Sequence, residues 1–517
     1  MAVQTGVVDC CILGSILIIL LVGLITRMLD FIKAERDSSM YIETILAADT
    51  ELCMPKSNRD LPGRNCTGIC NGIMRMFLGL LVLLGNLPLS QASDERLFAI
   101  AEAASPERIE RDINTLVGFG TRHTLSDTRA RDRGIGAARR WIEAEFRRIS
   151  KRCGGCLEVQ IQRQVFSGQT RIPDATEVVN VIAILPGTQD PERYVMMSGD
   201  IDSRVSDPMD FESDSPGAND NASGMAGTLE AARLLSQYRF PASIVFAGLS
   251  GEEQGLFGGQ ILAAYARERD WYVQGVLNND MIGNIAGLNG VVNNVTARVF
   301  SEATRPTESV AEARIRRFTG GEVDSPSRNL ARYIDRMADT YLSNLDIMMI
   351  YRLDRFGRGG HHRPFNDAGF AAVRIMETNE HYHRQHQDLR VENGIRFGDE
   401  IAGVNFEYAA KLTALNAVTL ASMAWAPAPP EDLEIEGSVS ADTTLRWQKV
   451  KAAVAYKVYW RLTTEPQWHW SRMLGDVDSV TLKNVVIDNY FFGVASVNED
   501  GIESPVVFPG PIGRFRH

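Results

Sequence analysis

Three kinds of hydrophobic pattern follow one another along the chain. Before residue 93 the apolar positions form two unbroken runs, Cys10 to Ile25 and Phe77 to Gly85. From Ser105 the spacing turns helical. Ser105-Pro106-Glu107 reads as a cap followed by proline at the first helical position, and Ile109, Ile113 and Leu116 follow on one face. A second helix runs from Gly134 to Ser150 with Ala138, Trp141, Ile142 and Phe146 as its stripe, and Leu157 to Ile161 alternates as a strand does. From Val178 strands and helices take turns. Val178 to Leu185, Tyr194 to Met197, Ser243 to Leu249 and Gln274 to Leu277 read as strands; Ala222 to Tyr238 and Gly255 to Arg267 read as helices. Alternation of this kind predicts an α/β fold, a three-layer arrangement with a mostly parallel sheet and helices on both faces.

After Pro427 to Pro430 the period changes to two. Thr444 to Trp447, Tyr456 to Arg461 and Tyr490 to Asn498 alternate partially and are separated by turn residues, which predicts a C-terminal all-β sandwich. The expected organisation is an N-terminal hydrophobic region at 1–92, a catalytic domain at 93–425 and the β-sandwich at 426–517.

Composition changes this picture little. With 44% hydrophobic and 23% charged residues the 517-residue chain is globular, and two or three domains are expected. Its formal charge of -11 is spread without a long acidic run, and no cluster of lysine and arginine marks a nucleic-acid partner. Five of the seven cysteines precede residue 71. Cys153-Gly-Gly-Cys156 lacks the second pair of a zinc knuckle and the surroundings of a redox motif, so a local structural disulfide is expected.

The N-terminal runs bear on location. Met74-Arg75-Met76, a short apolar core and the small-x-small Ser90-Gln91-Ala92 have the layout of a secretory signal peptide at 74–92, with Ser93 as the mature N-terminus. The alternative is membrane anchoring through Cys10 to Ile25, which sits at the short edge for a span. Under both readings an exported protein is expected: periplasmic, extracellular or membrane-attached.

The chemistry concentrates between Ser198 and Asp280. Asp200, Glu252, Glu253 and Asp280 all follow the C-terminal ends of predicted strands, and ligands of open α/β sheets bind at that rim. A single such Asp is more often a cap, and Glu252-Glu253 alone could be a solvated loop. Four carboxylates at one rim repel unless cations neutralise them, so their convergence points to metal. Two divalent ions would activate a water and polarise a carbonyl, with a neighbouring carboxylate as base.

The motifs Asp202-Ser203, Gly217-Ala218-Asn219-Asp220-Asn221-Ala222-Ser223-Gly224, Gly251-Glu252-Glu253-Gln254-Gly255-Leu256-Phe257-Gly258, Asn279-Asp280-Met281-Ile282-Gly283, His362-Arg363-Pro364-Phe365 and Tyr382-His383 carry a resemblance. Over residues 105 to 425 the chain resembles the co-catalytic zinc aminopeptidase family, peptidase clan MH, with its leucyl aminopeptidases, glutamate carboxypeptidases and glutaminyl cyclases. The resemblance implies two divalent metal ions, normally Zn2+, and a peptide substrate. It implies that Asp220 bridges the metals and Glu252 is the general base. Glu253 and His383 would hold one metal, and Asp200 and Asp280 the other, with Asp202 supporting that second set. His362 would lie close to the substrate. The function it implies is an exported exopeptidase, an aminopeptidase first, with a carboxypeptidase, a glutaminyl cyclase or a non-catalytic peptide-binding relative as alternatives. Residues 426–510 resemble a fibronectin type III domain, with Trp447 and Tyr490 at core positions and Asn498-Glu499-Asp500-Gly501 as the closing turn.

Two positions depart from the family pattern. Asp200 stands where the family usually has histidine, which makes that subsite harder, opens it to Mn2+ or Co2+, and could weaken it. His361 stands where an acidic residue often precedes the histidine. Ligation by His361, His381 or His386 is a minor alternative. The segment Gly320 to Gly360 is expected to line the substrate cleft. Arg355 and Arg358 in it would bind a substrate carboxylate or simply pair with nearby acids.

Overall fold

The computed structural model describes residues 93–515; the expected signal peptide at 74–92 and the run Cys10 to Ile25 lie outside the described residues. The first helices, α1 (Glu95–Glu102) and α2 (Pro106–Val117), begin at Asp94 and Ser105, whose side chains accept from the backbone N–H of Arg96 and Arg108. This is the cap that Ser105-Pro106 predicts. Helix α3 (Gly134–Arg152) ends at the Cys153–Cys156 disulfide, the local bridge expected from the spacing.

Then come β1 (Glu158–Phe166), β2 (Thr176–Leu185), β3 (Asp190–Asp200), an irregular turn at Ala218–Ser223, α4 (Gly224–Leu235) and β4 (Ala242–Leu249). The single turn α5 (Glu252–Gly255), α6 (Phe257–Glu268), β5 (Tyr272–Asn279), β6 (Thr296–Ser301), α7 (Val310–Thr319), α8 (Pro326–Tyr341) and β7 (Asp346–Ile350) follow. The domain closes with α9 (His362–Asp367), β8 (Ala372–Glu377), the small hairpin β9 (Arg390–Glu392) and β10 (Ile395–Phe397), and α10 (Phe406–Trp425).

One eight-stranded sheet has the order β1-β2-β4-β3-β5-β8-β6-β7. The four central strands β4, β3, β5 and β8 are parallel; antiparallel joints at β1/β2, β2/β4 and β8/β6 make the whole sheet mixed. Every residue of β4 is buried, which is why its sequence is continuously apolar rather than alternating. Because β3, β4, β5 and β8 run the same way, Asp200, the turn after Leu249, Asp280 and Glu377 end on one rim. A Cβ on Gly199 would lie 2.5 Å from the backbone of Gly224 and Met225, and one on Gly224 would lie 2.3 Å from Asn279 O. The two glycines thus let the ends of β3 and β5 close on the start of α4, beneath the site.

Helix α10 is apolar almost all round and buried along most of its length, as a central core helix must be. No helix among the described residues is long and apolar enough to cross a membrane.

Beyond α10, β11 (Glu431–Glu436), β12 (Thr443–Gln448), β13 (Ala455–Leu462), β14 (Trp470–Leu474), β15 (Ser479–Leu482) and β16 (Tyr490–Val497) form two three-stranded antiparallel sheets, β11-β12-β15 and β14-β13-β16. Trp447 is buried against Tyr456, as a core position requires, whereas Tyr490 is only half-buried and stacks edge-on against Trp470. This sandwich-like region is welded to α8. Arg461 Nη2 donates to both oxygens of Asp324 at 2.7 and 2.8 Å, Arg332 Nη1 donates to Asp324 at 2.9 Å, and Tyr333 donates to Glu503 O at 2.9 Å. Asp324, expected near a cleft, instead anchors this buried joint, while Ser325 and Arg328 bond to Glu302 O and Ser301 at the end of β6.

Candidate metal centre and active site

The site is built from short segments that follow the sheet's rim. Asp202 accepts from the backbone N–H of Glu252 at 3.2 Å and of Glu253 at 3.1 Å, and from Thr124 Oγ1 at 3.1 Å. It therefore sets the Glu252-Glu253 turn, and burial pushes its pKa up to about 6. Asp399, from the loop before α10, accepts from the backbone N–H groups of Asn219 and Asp220 and presents the Asp220 side chain.

Asp220 and Glu253 meet on one imidazole. His386 Nε2 lies 2.9 Å from Asp220 Oδ2 and 3.0 Å from Glu253 Oε1. Among the described residues these three form the one group whose ligand atoms all lie within 4.8 Å of one another. Burial opposes ionisation of both acids, yet the adjacent His386 holds both below the usual carboxylate range. Arg204 donates to Glu253 Oε2 at 2.7 Å, and its Nη2 lies 2.7 Å from His386 Nδ1.

The other carboxylates surround this cluster. Asp200 is buried, accepts from Asn221 Nδ2 at 2.7 Å and faces His361 Nδ1 at 2.5 Å. Asp280 pairs with the buried Arg374 at 2.8 Å. Burial and mutual repulsion raise Asp200, Asp280 and Glu252 above the ordinary range. Five carboxylates thus converge where Arg204 and Arg374 pair with only two, so the residues fit a divalent cation, which replaces the protons such crowding otherwise retains. Two carboxylates and one imidazole are a donor set suited to Zn2+, whereas Asp200, Asp220 and Asp280 offer oxygen alone.

Glu252 differs from its neighbours. It is half-buried on the wall of a cleft of about 660 Å³ that also exposes Asp220, Glu253, Asp280 and His386. Its carboxylate makes no hydrogen bond or ion pair among the described residues. A larger groove of about 960 Å³ along α3 and β1–β2 contains none of the candidate ligands.

The sequence profile of peptidase family M28 matches residues 180–395, which include Asp200, Asp202, Asp220, Glu252, Glu253, Asp280 and His386. A probable zinc metalloprotease of Leptosphaeria maculans is 43% identical over 423 residues, covering 81% of this chain and 98% of its own length. The chain belongs to peptidase family M28. A probable zinc metalloprotease of Pyricularia oryzae is 41% identical over 437 residues, covering 83% of this chain and 87% of its own length. Among solved structures, the LapA aminopeptidase of Legionella pneumophila is similar at 17% identity and TM-score 0.47, covering 66% of this chain and 76% of its own. A glutaminyl cyclase of Porphyromonas gingivalis is similar at 15% identity and TM-score 0.42, covering 62% and 98%.

Within this M28 chain the expected residues do not all meet. Asp200, Asp202, Asp220, Glu252, Glu253 and Asp280 come together. His383 does not reach Asp220 and Glu253; its ring packs tilted against Phe397 at 4.8 Å, and His386, three residues on, takes the place expected for it. His386 has a left-handed backbone, φ 52°, which turns the chain after the Arg384–His381 bend. His362 is fully buried, with Nε2 2.9 Å from Leu353 O, and is absent from the cleft wall. Arg355 lines the cleft but pairs with Asp354 and Glu380, and Arg358 pairs with Glu380 at 2.9 Å. Arg204, Arg374 and Asp399 went unread because each acts through a contact with a residue far away in sequence.

Proposed function

We propose that the protein is an exported, metal-dependent exopeptidase of the M28 family, an aminopeptidase in preference to a carboxypeptidase or glutaminyl cyclase. The observation that carries the reaction type is the unpartnered Glu252 carboxylate, set by Asp202 beside the Asp220–Glu253–His386 cluster. Zn2+ held by Asp220, Glu253 and His386 would supply polarisation of the scissile carbonyl and acidification of a water. Asp200 and Asp280 would complete a second subsite through Asp220, with an oxygen-only set that also suits Mn2+. Glu252 takes the proton from the attacking water and returns it to the leaving amine, a role its free oxygens and raised pKa suit. Arg204 orients Glu253, and Asp202 keeps the turn in place.

The names of the L. maculans and P. oryzae relatives support a zinc metalloprotease, and that of the Legionella protein gives the aminopeptidase reading its precedent. The signal-like stretch at 74–92 and the Cys153–Cys156 disulfide support export. The test is Glu252→Gln in zinc-loaded protein. Turnover of unblocked peptides should fall by two or more orders of magnitude while zinc content stays; unchanged turnover removes the mechanism. Release from unblocked but not N-acetylated peptides supports the aminopeptidase, and the converse or cyclisation of N-terminal Gln supports its rivals. N-terminal sequencing of the protein from culture fluid tests export.

A further inference from the structure

The cleft beside Glu252 has an unusual lining. Apart from the candidate ligands and base it exposes no acidic side chain, yet five arginines reach it: Arg171, Arg204, Arg355, Arg358 and Arg363. They are not equivalent. Arg204 is committed to Glu253 and His386, and Arg355 is nearly buried between Asp354 and Glu380. Arg171, from the loop between β1 and β2, spends one Nη1 bond on Glu253 O and has no carboxylate within ion-pair distance among the described residues. Arg363 is exposed, its one acidic neighbour being Asp367 at 3.7 Å, and its Nη1 lies beside Gly359. Arg358 is a third exposed and shares Glu380 with Arg298 and Arg355. Three guanidiniums, from the β1–β2 loop, the β7–α9 loop and the first turn of α9, therefore border the cleft beside Glu252 with donors to spare, and a guanidinium fork is shaped for a carboxylate.

We propose that Arg171, Arg358 and Arg363 form a subsite for a substrate carboxylate next to the scissile bond, so that the enzyme prefers acidic peptides. This rests on the hydrolytic reading of the site. The carboxylate could be an Asp or Glu side chain or the α-carboxylate of a short peptide; both present the same anion. Specificity then comes from guanidinium donors that the Arg171, Arg358 and Arg363 contacts within the protein leave unused when the substrate is neutral.

The experiment compares kcat/KM of the zinc-loaded protein for four short peptides: Asp or Asn adjacent to the scissile bond, each with a free or an amidated C-terminus. One carboxylate-bearing pair should exceed its neutral counterpart by about tenfold or more. An Asp/Asn effect identifies a side chain and an acid/amide effect the C-terminus. In Arg171→Ala/Arg363→Ala the ratio should fall toward one through KM rather than kcat, and Arg363→Lys should restore part of it. Equal kcat/KM for all four peptides, or a ratio the double variant leaves intact, overturns the subsite while leaving the peptidase reading standing. If no peptide is cleaved, calorimetric binding of the same four peptides to the zinc-loaded protein decides: tighter binding of the carboxylate-bearing members supports the subsite, and equal binding overturns it.

Discussion

His361 Nδ1 lies 2.5 Å from Asp200 Oδ1, with both side chains buried at the end of β3. The two positions at which the chain departs from its family's pattern are therefore in contact. Asp200 is a carboxylate where an imidazole is usual, and His361 is an imidazole where an acid is usual. In the tautomer that carries its proton on Nδ1 the ring donates to Asp200 and fixes its orientation, as a supporting partner of a proposed metal ligand would. His361→Ala should lower zinc affinity about 10–100-fold. The exchange Asp200→His/His361→Asp should retain more metal than Asp200→His alone. Elemental analysis after dialysis against buffered zinc measures both.

His386 and His383 can be told apart directly. His386→Ala removes the one imidazole in the cluster and should abolish stoichiometric zinc binding. His383→Ala removes a ring packed against Phe397 and His381, outside the cluster, and should leave zinc content within a few per cent of the parent. The reverse result would place the ligand on His383.

Glu302, at the end of β6, gives stability a pH dependence away from the metal centre. Burial, with Asp367 adding repulsion, pushes its carboxyl up to about 8 from an ordinary 4.5. Between those values the folded state holds the proton more tightly than the unfolded chain, so stability falls as pH rises through that window. Glu302→Gln should flatten the decline and gain about 1–3 kcal/mol at pH 8.5 relative to pH 4.5. Denaturant unfolding at the two pH values is the measurement.

The joint between α8 and the C-terminal strands rests on Asp324, which among the described residues is the one acid paired with the buried Arg332 and Arg461. Asp324→Ala leaves two guanidiniums buried without a counter-charge and should cost about 3–5 kcal/mol. A lowered melting temperature with faster proteolysis near residues 426–431 is expected; an unchanged melt would show that the joint carries no load.

Much of the domain was legible before folding. Ser105-Pro106, the apolar runs of β2, β4 and β5, and the helical stripes depend on local sterics and on a period that burial imposes, so they read directly from the chain. Strand ends also located Asp200, Glu252, Glu253 and Asp280, because parallel strands deliver their C-termini to one rim. The sheet's antiparallel joints at β2/β4 and β8/β6 were not legible, since hydrogen-bonding partners leave no mark on a uniformly buried strand.

The amino-acid sequence by itself determined the strand–helix alternation, the carboxylates at the rim and the family to which they belong. The first two are properties of spacing along the chain, and the third rests on the resemblance that its motifs carry. Only the tertiary structure decided which histidine faces Asp220 and Glu253, that His361 reaches Asp200, and that Arg171 and Arg363 border the same cleft. His383 and His386 differ by three positions in a loop without regular period, so the backbone turn at His386 makes the selection. Asp200 and His361 are 161 residues apart, and only the packing of α9 beneath the rim closes that distance.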